Sequence, residues 1–263
     1  MRKQDGMFGP IEVHDAQGER RLLLNGQQQG AALLDPPASV VDRELPDDAP
    51  GPLSSSAYAN GWLLAGGMNP HGTGLMIGLG SGAGAVQLLF CCPDVELCIV
   101  EIDPILTQMA LSNYPLLDYY QNIGRLNIIV EDANDYLVAN RDDWDFGLAD
   151  AYDGGQAVID SYMPALCGRC KNIYVNVIDT LAGKSMLGVA QMMDQAGKPV
   201  AEVIKAVPFH IVTSFEGRSN WILTSQEPDL EALSEFQPFS QVDAPAHEVS
   251  WDHFITSTLG ANV

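Results

Sequence analysis

Apolar positions along the chain follow two periods, and the alternation between them predicts the architecture. Short apolar runs at 75–78, 97–101, 126–130, 146–149 and 173–177 read as strands, with two more at 207–212 and 221–224. Runs of this length with few polar interruptions are what strands covered on both faces look like. Between them, stretches 83–90, 104–113, 134–140 and 185–196 put apolar residues three and four apart, the spacing of an amphipathic helix. Strand and helix in turn require a mostly parallel sheet with helices on both faces. The sequence therefore predicts an α/β, Rossmann-like, doubly wound domain.

The first part of the chain has a different grammar. Within 9–34, short apolar runs at 11–14 and 21–24 flank the turn residues Asp15-Ala16-Gln17-Gly18, which predicts a small β-hairpin element. Residues 35–56, DPPASVVDRELPDDAPGPLSSS, carry five prolines and several acids, a composition that sustains neither a core helix nor a central strand. The expected division is thus an N-terminal β element with its linker over 1–56 and the main domain over 57–263. After Ser225 the chain turns acidic and is interrupted by Pro228, Pro238 and Pro245. It reads as an extension anchored by burial of Trp251 and Phe254.

Composition narrows the function classes. A chain of 263 residues with 46% hydrophobic positions can bury one good-sized core. Thirteen Lys and Arg against 34 Asp and Glu give a net charge of −21, which repels nucleic acid and anionic membrane surfaces and attracts a cationic small molecule. No run of 18 apolar residues occurs, and the opening MRKQDGMFGP lacks the apolar core of a secretory signal, so a cytoplasmic location is expected. The five cysteines, Cys91, Cys92, Cys98, Cys167 and Cys170, read as reduced thiols, with the Cys167/Cys170 pair placed at a helix end. His14, His71, His210, His247 and His253 are scattered without ligand spacing, so no metal site is expected.

The chemistry-bearing residues cluster at expected strand ends. GLGSGAG at 78–84 stands where the first strand of the α/β region gives way to a helix. Glycines there let backbone and free helix N–H groups approach a ligand, and Gly78, Gly80, Ser81 and Gly82 are the candidate cradle. Glu101, in Val100-Glu101-Ile102-Asp103-Pro104, ends the second strand, where a carboxylate can accept ribose hydroxyls from NAD or from an adenosyl donor. Asp103 before Pro104 suits a helix cap instead. Asp132, in Glu131-Asp132-Ala133, can accept from an adenine amino group, cap the following helix, or do both. Asp150 and Asp153, in Asp150-Ala151-Tyr152-Asp153-Gly154-Gly155, can share one substrate as proton acceptor and cation anchor.

In this order the motifs resemble those of the spermidine-synthase-like branch of the class I S-adenosylmethionine-dependent transferases, over about residues 9–224. The resemblance extends to Leu22-Leu23-Leu24-Asn25-Gly26-Gln27-Gln28-Gln29, a strand-and-turn segment ending in a substrate-side glutamine, and to Asn176 in the fifth strand. It implies that Glu101, with Ile102 beside it, holds the donor ribose, that Asp132 and Ala133 hold the adenine, and that the glycine loop holds the sulfonium tail. Asp150 is then the proton acceptor, and Asp153, Gln29, Tyr58 and Tyr152 lie on the acceptor side. The implied donor is S-adenosylmethionine or its decarboxylated form, the acceptor a small amine-type molecule, and the assembly is compatible with a homodimer.

The sequence departs from the family at three points. Ser81 stands where polyamine synthases carry an Asp in the glycine loop, Tyr58-Ala59-Asn60 where they carry Tyr-His-Glu, and Asp153-Gly154 where they carry Asp-Pro. The nucleoside pocket is kept and the polyamine pocket altered. Because Gly78, Gly80 and Ala83 also satisfy a loose dinucleotide fingerprint, an NAD-dependent oxidoreductase stays open, as does a non-catalytic nucleoside-binding module.

Overall fold

The computed structural model describes residues 2–34, 50–54, 57–150, 152–153, 156–157, 161–179, 184–206 and 219–227. Most of the proline-rich linker, the expected strand at 207–212 and the C-terminal extension with Trp251 and Phe254 lie outside the described residues.

The chain opens with a four-stranded antiparallel sheet in sequence order: β1 (Arg2–Gly6), β2 (Gly9–Ala16), β3 (Glu19–Leu24) and β4 (Gln27–Leu33). Two of its connections are two-residue turns, Gln17-Gly18 and Asn25-Gly26, in which both residues have φ between 51° and 78°. That left-handed pair matches the twist of the flanking strands, which is why Asn-Gly is favoured there. The expected hairpin is therefore half of a larger sheet. Its apolar face, Ile11, Val13, Leu22, Leu24 and Ala32, belongs to the same buried cluster as Trp62, Leu88 and Leu117 of the main domain.

The main domain then alternates helix and strand: α1 (Ala57–Met68), β5 (Thr73–Ile77), α2 (Ala83–Cys91), β6 (Glu96–Glu101), α3 (Pro104–Asn113), α4 (Pro115–Asn122), β7 (Leu126–Val130), α5 (Ala133–Ala139) and β8 (Trp144–Ala149). A two-stranded ribbon follows, β9 (Tyr152–Asp153) against β10 (Gln156–Ala157). The chain continues through α6 (Met163–Arg169), β11 (Cys170–Asp179), α7 (Lys184–Gln195), β12 (Glu202–Ala206) and β13 (Ser219–Thr224).

Seven strands form one sheet in the order β12-β13-β11-β8-β5-β6-β7. The five from β11 to β7 are parallel, and β13 runs antiparallel to both its neighbours. One buried cluster lies on the face covered by α1 to α4 and the small sheet, and a second lies under α5, α6 and α7. The small sheet is seated on the domain, with β1 and β2 against α3 and β4 against α2. Arg125 closes the far end of α2: its guanidinium donates to the carbonyls of Leu89 (2.9 Å) in the last turn and of Cys92 (2.6 Å) and Val95 (2.9 Å) just beyond it.

The expected helices appear within a residue or two of their expected ends, while α1, α4 and α6 have no counterpart among the sequence expectations. All five cysteines are free and buried, Cys167 on α6 and Cys170 at the start of β11. Among the described residues, no helix is long and apolar enough to cross a membrane, and no three metal-ligating side chains cluster.

Candidate functional site

The sheet reverses its winding at β5. The chain steps outward from β5 to β6 and β7, then crosses back so that β8 pairs with the other edge of β5. Such a switch point opens a crevice at the carboxyl ends of the strands. The register fixes what faces it. Ile77 lies opposite both Val100 and Ala149, and Glu101 opposite Val130, so the exits at Gly78, Glu101, Glu131 and Asp150 stand at one level. With strands ~4.8 Å apart, the four exits span about 14 Å. Backbone bonds carry the ladder into these exits, from Gly78 N to the Val100 carbonyl (2.9 Å), Glu131 N to the Glu101 carbonyl (3.0 Å) and Asp150 N to the Ile77 carbonyl (3.0 Å).

The glycine loop is gripped along its length. Leu79 N donates to Glu101 Oε2 at 2.9 Å. Gly80 has φ 55°, and a Cβ there would lie 2.7 Å from the Gln29 carbonyl oxygen of β4, so no side chain fits. Ser81 is fully buried, and its hydroxyl accepts from Ala83 N at 3.2 Å. Gly82, at φ 77°, rests on Leu117 of α4, whose Cδ1 would be 2.5 Å from a Cβ. The loop is thus held at Leu79, Gly80 and Gly82 by β6, β4 and α4 in turn. Gly80 is required by close approach to backbone as well as by left-handed backbone, and Gly82 by its left-handed backbone.

Glu101 is 7% exposed. Its second oxygen, Oε1, accepts from Asp103 N at 2.9 Å. Burial raises the pKa of its carboxyl, and the N–H groups of Asp103 and Leu79 work against that by favouring the ionised form. Asp103 is the helix cap: Oδ1 accepts from Ile105 N (2.8 Å) and Leu106 N (3.1 Å) at the start of α3. Its Oδ2 accepts from Met7 N at 2.6 Å, a tie to the N-terminal hairpin that no local signal in the sequence announces. Ile102, half-buried, lies between these two acids. Asp132 is half-buried and caps α5, accepting from Asn134 N at 2.8 Å, with Ala133 as the first helical residue.

Asp150 follows β8 directly. Asn176 Nδ2, in the buried middle of β11, donates to Asp150 Oδ1 at 2.7 Å. Burial pushes the Asp150 carboxyl up from 3.8 to about 7, and the Asn176 contact only partly offsets this. Tyr152 and Asp153 form β9, opposite Ala157 and Gln156 respectively, and Tyr58 lies in the first turn of α1. The side chains of these three are outside the described residues. The crevice thus brings together Gln29, the 78–82 loop, Glu101, Ile102, Asp132 and Asp150. Leu117, which packs against Gly82, is not among the sequence candidates.

A buried carboxylate stands beside a backbone that comes within contact distance of its surroundings without side chains, and a second carboxylate stands on the other flank of the same strand, β5.

No protein-family model matches the sequence, and no curated protein matches it. Solved structures resemble it in fold. A probable spermidine synthase from Corynebacterium glutamicum shares 14% identity over 89% of this chain and 85% of that one, with a TM-score of 0.60. Spermidine synthase from Thermotoga maritima shares 13% over 90% of this chain and 75% of that one, with a TM-score of 0.59. A spermidine synthase in complex with the transition-state analogue AdoDATO shares 12% over 99% of this chain and 88% of that one, with a TM-score of 0.63. The fold is that of the spermidine synthases.

Asp150 also sets a pH signature. Its native pKa of about 7 lies above its ordinary value of 3.8, so the folded state binds the proton more tightly than the unfolded chain. The associated stability is present below pH ~4 and lost as pH rises to ~7, at up to about 1.4 kcal/mol per pH unit. Asp150→Asn removes this titration. Urea melts should show the variant gaining stability relative to the parent between pH ~4 and ~7 and holding a constant difference above. A difference independent of pH would show that Asp150 titrates normally.

Proposed function

We propose that this chain is a spermidine-synthase-like transferase. It draws a group from a sulfonium nucleoside, S-adenosylmethionine or its decarboxylated form, and passes it to a small amine-type acceptor. The observation that carries the proposal is Glu101, a buried carboxylate at the end of the strand beside the glycine loop, with one oxygen on the loop itself. A carboxylate in that place serves ribose hydroxyls, and the loop's N–H groups and the first turn of α2 serve the donor tail. Asp132 and Ala133, one strand further out, would face the adenine. The fold shared with the spermidine synthases supports this reading of the crevice.

The donor supplies a sulfonium whose bonded carbon is open to displacement by an amine. The protein's own task is alignment and removal of a proton. Asp150, with a carboxyl titrating near 7, is a base matched to neutral pH, and Asn176 fixes its orientation. Gln29, Tyr58, Tyr152 and Asp153 would hold the acceptor, whose positive charge suits a chain of net charge −21.

Ser81 bears on which donor is used. Its hydroxyl is buried and engaged, so the loop offers the donor tail N–H groups and no carboxylate. That favours a tail carrying its own carboxylate, hence S-adenosylmethionine, and transfer of a methyl group over an aminopropyl group. The oxidoreductase reading is disfavoured by topology: a dinucleotide-binding sheet runs 3-2-1-4-5-6, whereas here antiparallel β13 separates β11 from β12.

In thermal melts, S-adenosylmethionine at 100 times its Kd should stabilise the protein by roughly 2.7 kcal/mol. The decarboxylated form should act less strongly at equal concentration and NAD not at all. A larger shift with the decarboxylated form reassigns the chain to aminopropyl transfer, and a shift with NAD alone ends the proposal. Glu101→Gln turns an amide toward one of two backbone N–H groups and should weaken donor binding about tenfold or more. Unchanged affinity would remove Glu101 from the ribose site.

With a verified acceptor, Asp150→Asn should lower kcat about 100-fold or more while donor Kd stays the same. Undiminished turnover would assign the base elsewhere.

A further inference from the structure

A helix N-cap needs one side-chain acceptor, and serine or asparagine supplies it as well as aspartate does. Asp103 carries two. It is fully buried, and Oδ1 alone serves the first turn of α3, at Ile105 N and Leu106 N. Oδ2 is left over from the cap and is taken by the tip of the β1–β2 hairpin, 96 positions away in sequence, where Met7 N donates to it at 2.6 Å. Met7 is 62% exposed, so it is the main chain of the tip that is seated on the domain. Gly6 leaves room for this approach: a Cβ there would lie 2.5 Å from Asp103 Oδ2. Two successive hairpin residues are thus fitted to one carboxylate oxygen.

The main chain of Asp103 carries the contact on to Glu101. Its N–H donates to Glu101 Oε1 at 2.9 Å, while Leu79 N, at the start of the glycine loop, donates to Oε2 at 2.9 Å. The Asp103 carbonyl in turn accepts from Thr107 N (3.0 Å) and Thr107 Oγ1 (3.1 Å). Helix α3 therefore holds Asp103 by its carbonyl and one carboxylate oxygen, and the hairpin holds it by the other. The amide that meets Glu101 is fixed between these holds.

We propose that Asp103 is a positioning residue: its carboxylate, divided between helix α3 and the hairpin tip, fixes the main-chain amide that orients Glu101 for the donor ribose. Its effect on donor affinity rests on the transferase reading given above. The role belongs to the second oxygen. A residue that only capped α3 would be replaced by asparagine without consequence for Glu101.

Asp103→Asn keeps an acceptor for α3 and turns an amide N–H toward Met7 N, whereas Met7→Pro removes the hairpin donor without touching the acid. Met7 follows Gly6 in the turn to Gly9 and lies outside the left-handed region, a position at which proline is favoured. Each variant should raise the Kd for methylthioadenosine about fivefold and leave that for its 2′,3′-dideoxy analogue at the wild-type value, because the missing hydroxyls are the groups Glu101 serves. In a Glu101→Gln background neither should weaken binding further. Wild-type affinity for methylthioadenosine in either variant, an equal loss for the dideoxy analogue, or a multiplicative loss with Glu101→Gln would each overturn the proposal. Amide hydrogen exchange in the free protein separates this from the donor reading, since the Leu79 N–H is bonded to Glu101 and not to Asp103. If no nucleoside binds the wild type, the transferase reading fails, yet faster exchange at the Leu79 amide in both variants sustains the positioning role. Exchange there at the wild-type rate overturns it.

Discussion

A carboxylate buried at the end of a strand is costly unless its lone pairs are met. At the end of β6 that requirement joins three separate pieces of chain. Glu101 takes one N–H from the start of the glycine loop and another from Asp103. Asp103 spends one oxygen on the first turn of α3 and the other on Met7, in the tip of the N-terminal hairpin. The loop, the helix and the small sheet are therefore oriented through two acids two positions apart. Disturbing either would be felt in all three.

In the proposed reading the same placement divides the chemistry between two carboxylates. Both are pushed upward by burial, but Glu101 faces backbone N–H groups that favour its charge, whereas among the described residues Asp150 meets the side-chain amide of Asn176. One environment suits a fixed acceptor for hydroxyl groups and the other a base that exchanges a proton near neutrality. The fold by itself chooses neither donor nor acceptor, since one architecture carries many reactions. The choice lies in the residues at the crevice, above all in a loop whose serine is turned into the protein.

Much of the frame was legible in the sequence because strands buried on both faces leave unbroken apolar runs, as at Leu75 to Ile77 and Leu97 to Val100. The caps were legible too, with Asp103 before Pro104 and Asp132 before Ala133 both capping helices. Helix α1 was hidden because Trp62, Leu63, Leu64 and Ala65 are all buried, which erases the polar face that marks a helix. Strand β4 carries Gly30, Ala31 and Ala32, residues depleted in strands, and is held by pairing with β3. At the carboxyl end, β12 covers Glu202–Ala206, just before the run expected at 207–212. At the candidate site, Glu101 and Asp150 stand at strand exits where the sequence pattern puts them, whereas Leu117 meets Gly82 through a contact distant in sequence that no local pattern encodes.

The most direct measurement is a crystal structure of the protein soaked with methylthioadenosine, which carries the nucleoside of the proposed donor without its reactive sulfonium. The account places the ribose hydroxyls within hydrogen-bonding distance of the Glu101 carboxylate, the adenine beside Asp132 and Ala133, and the thioether along residues 78–82. A nucleoside bound at another strand exit, or a Glu101 carboxylate engaged only with Leu79 and Asp103 while the nucleoside sits elsewhere, would contradict it.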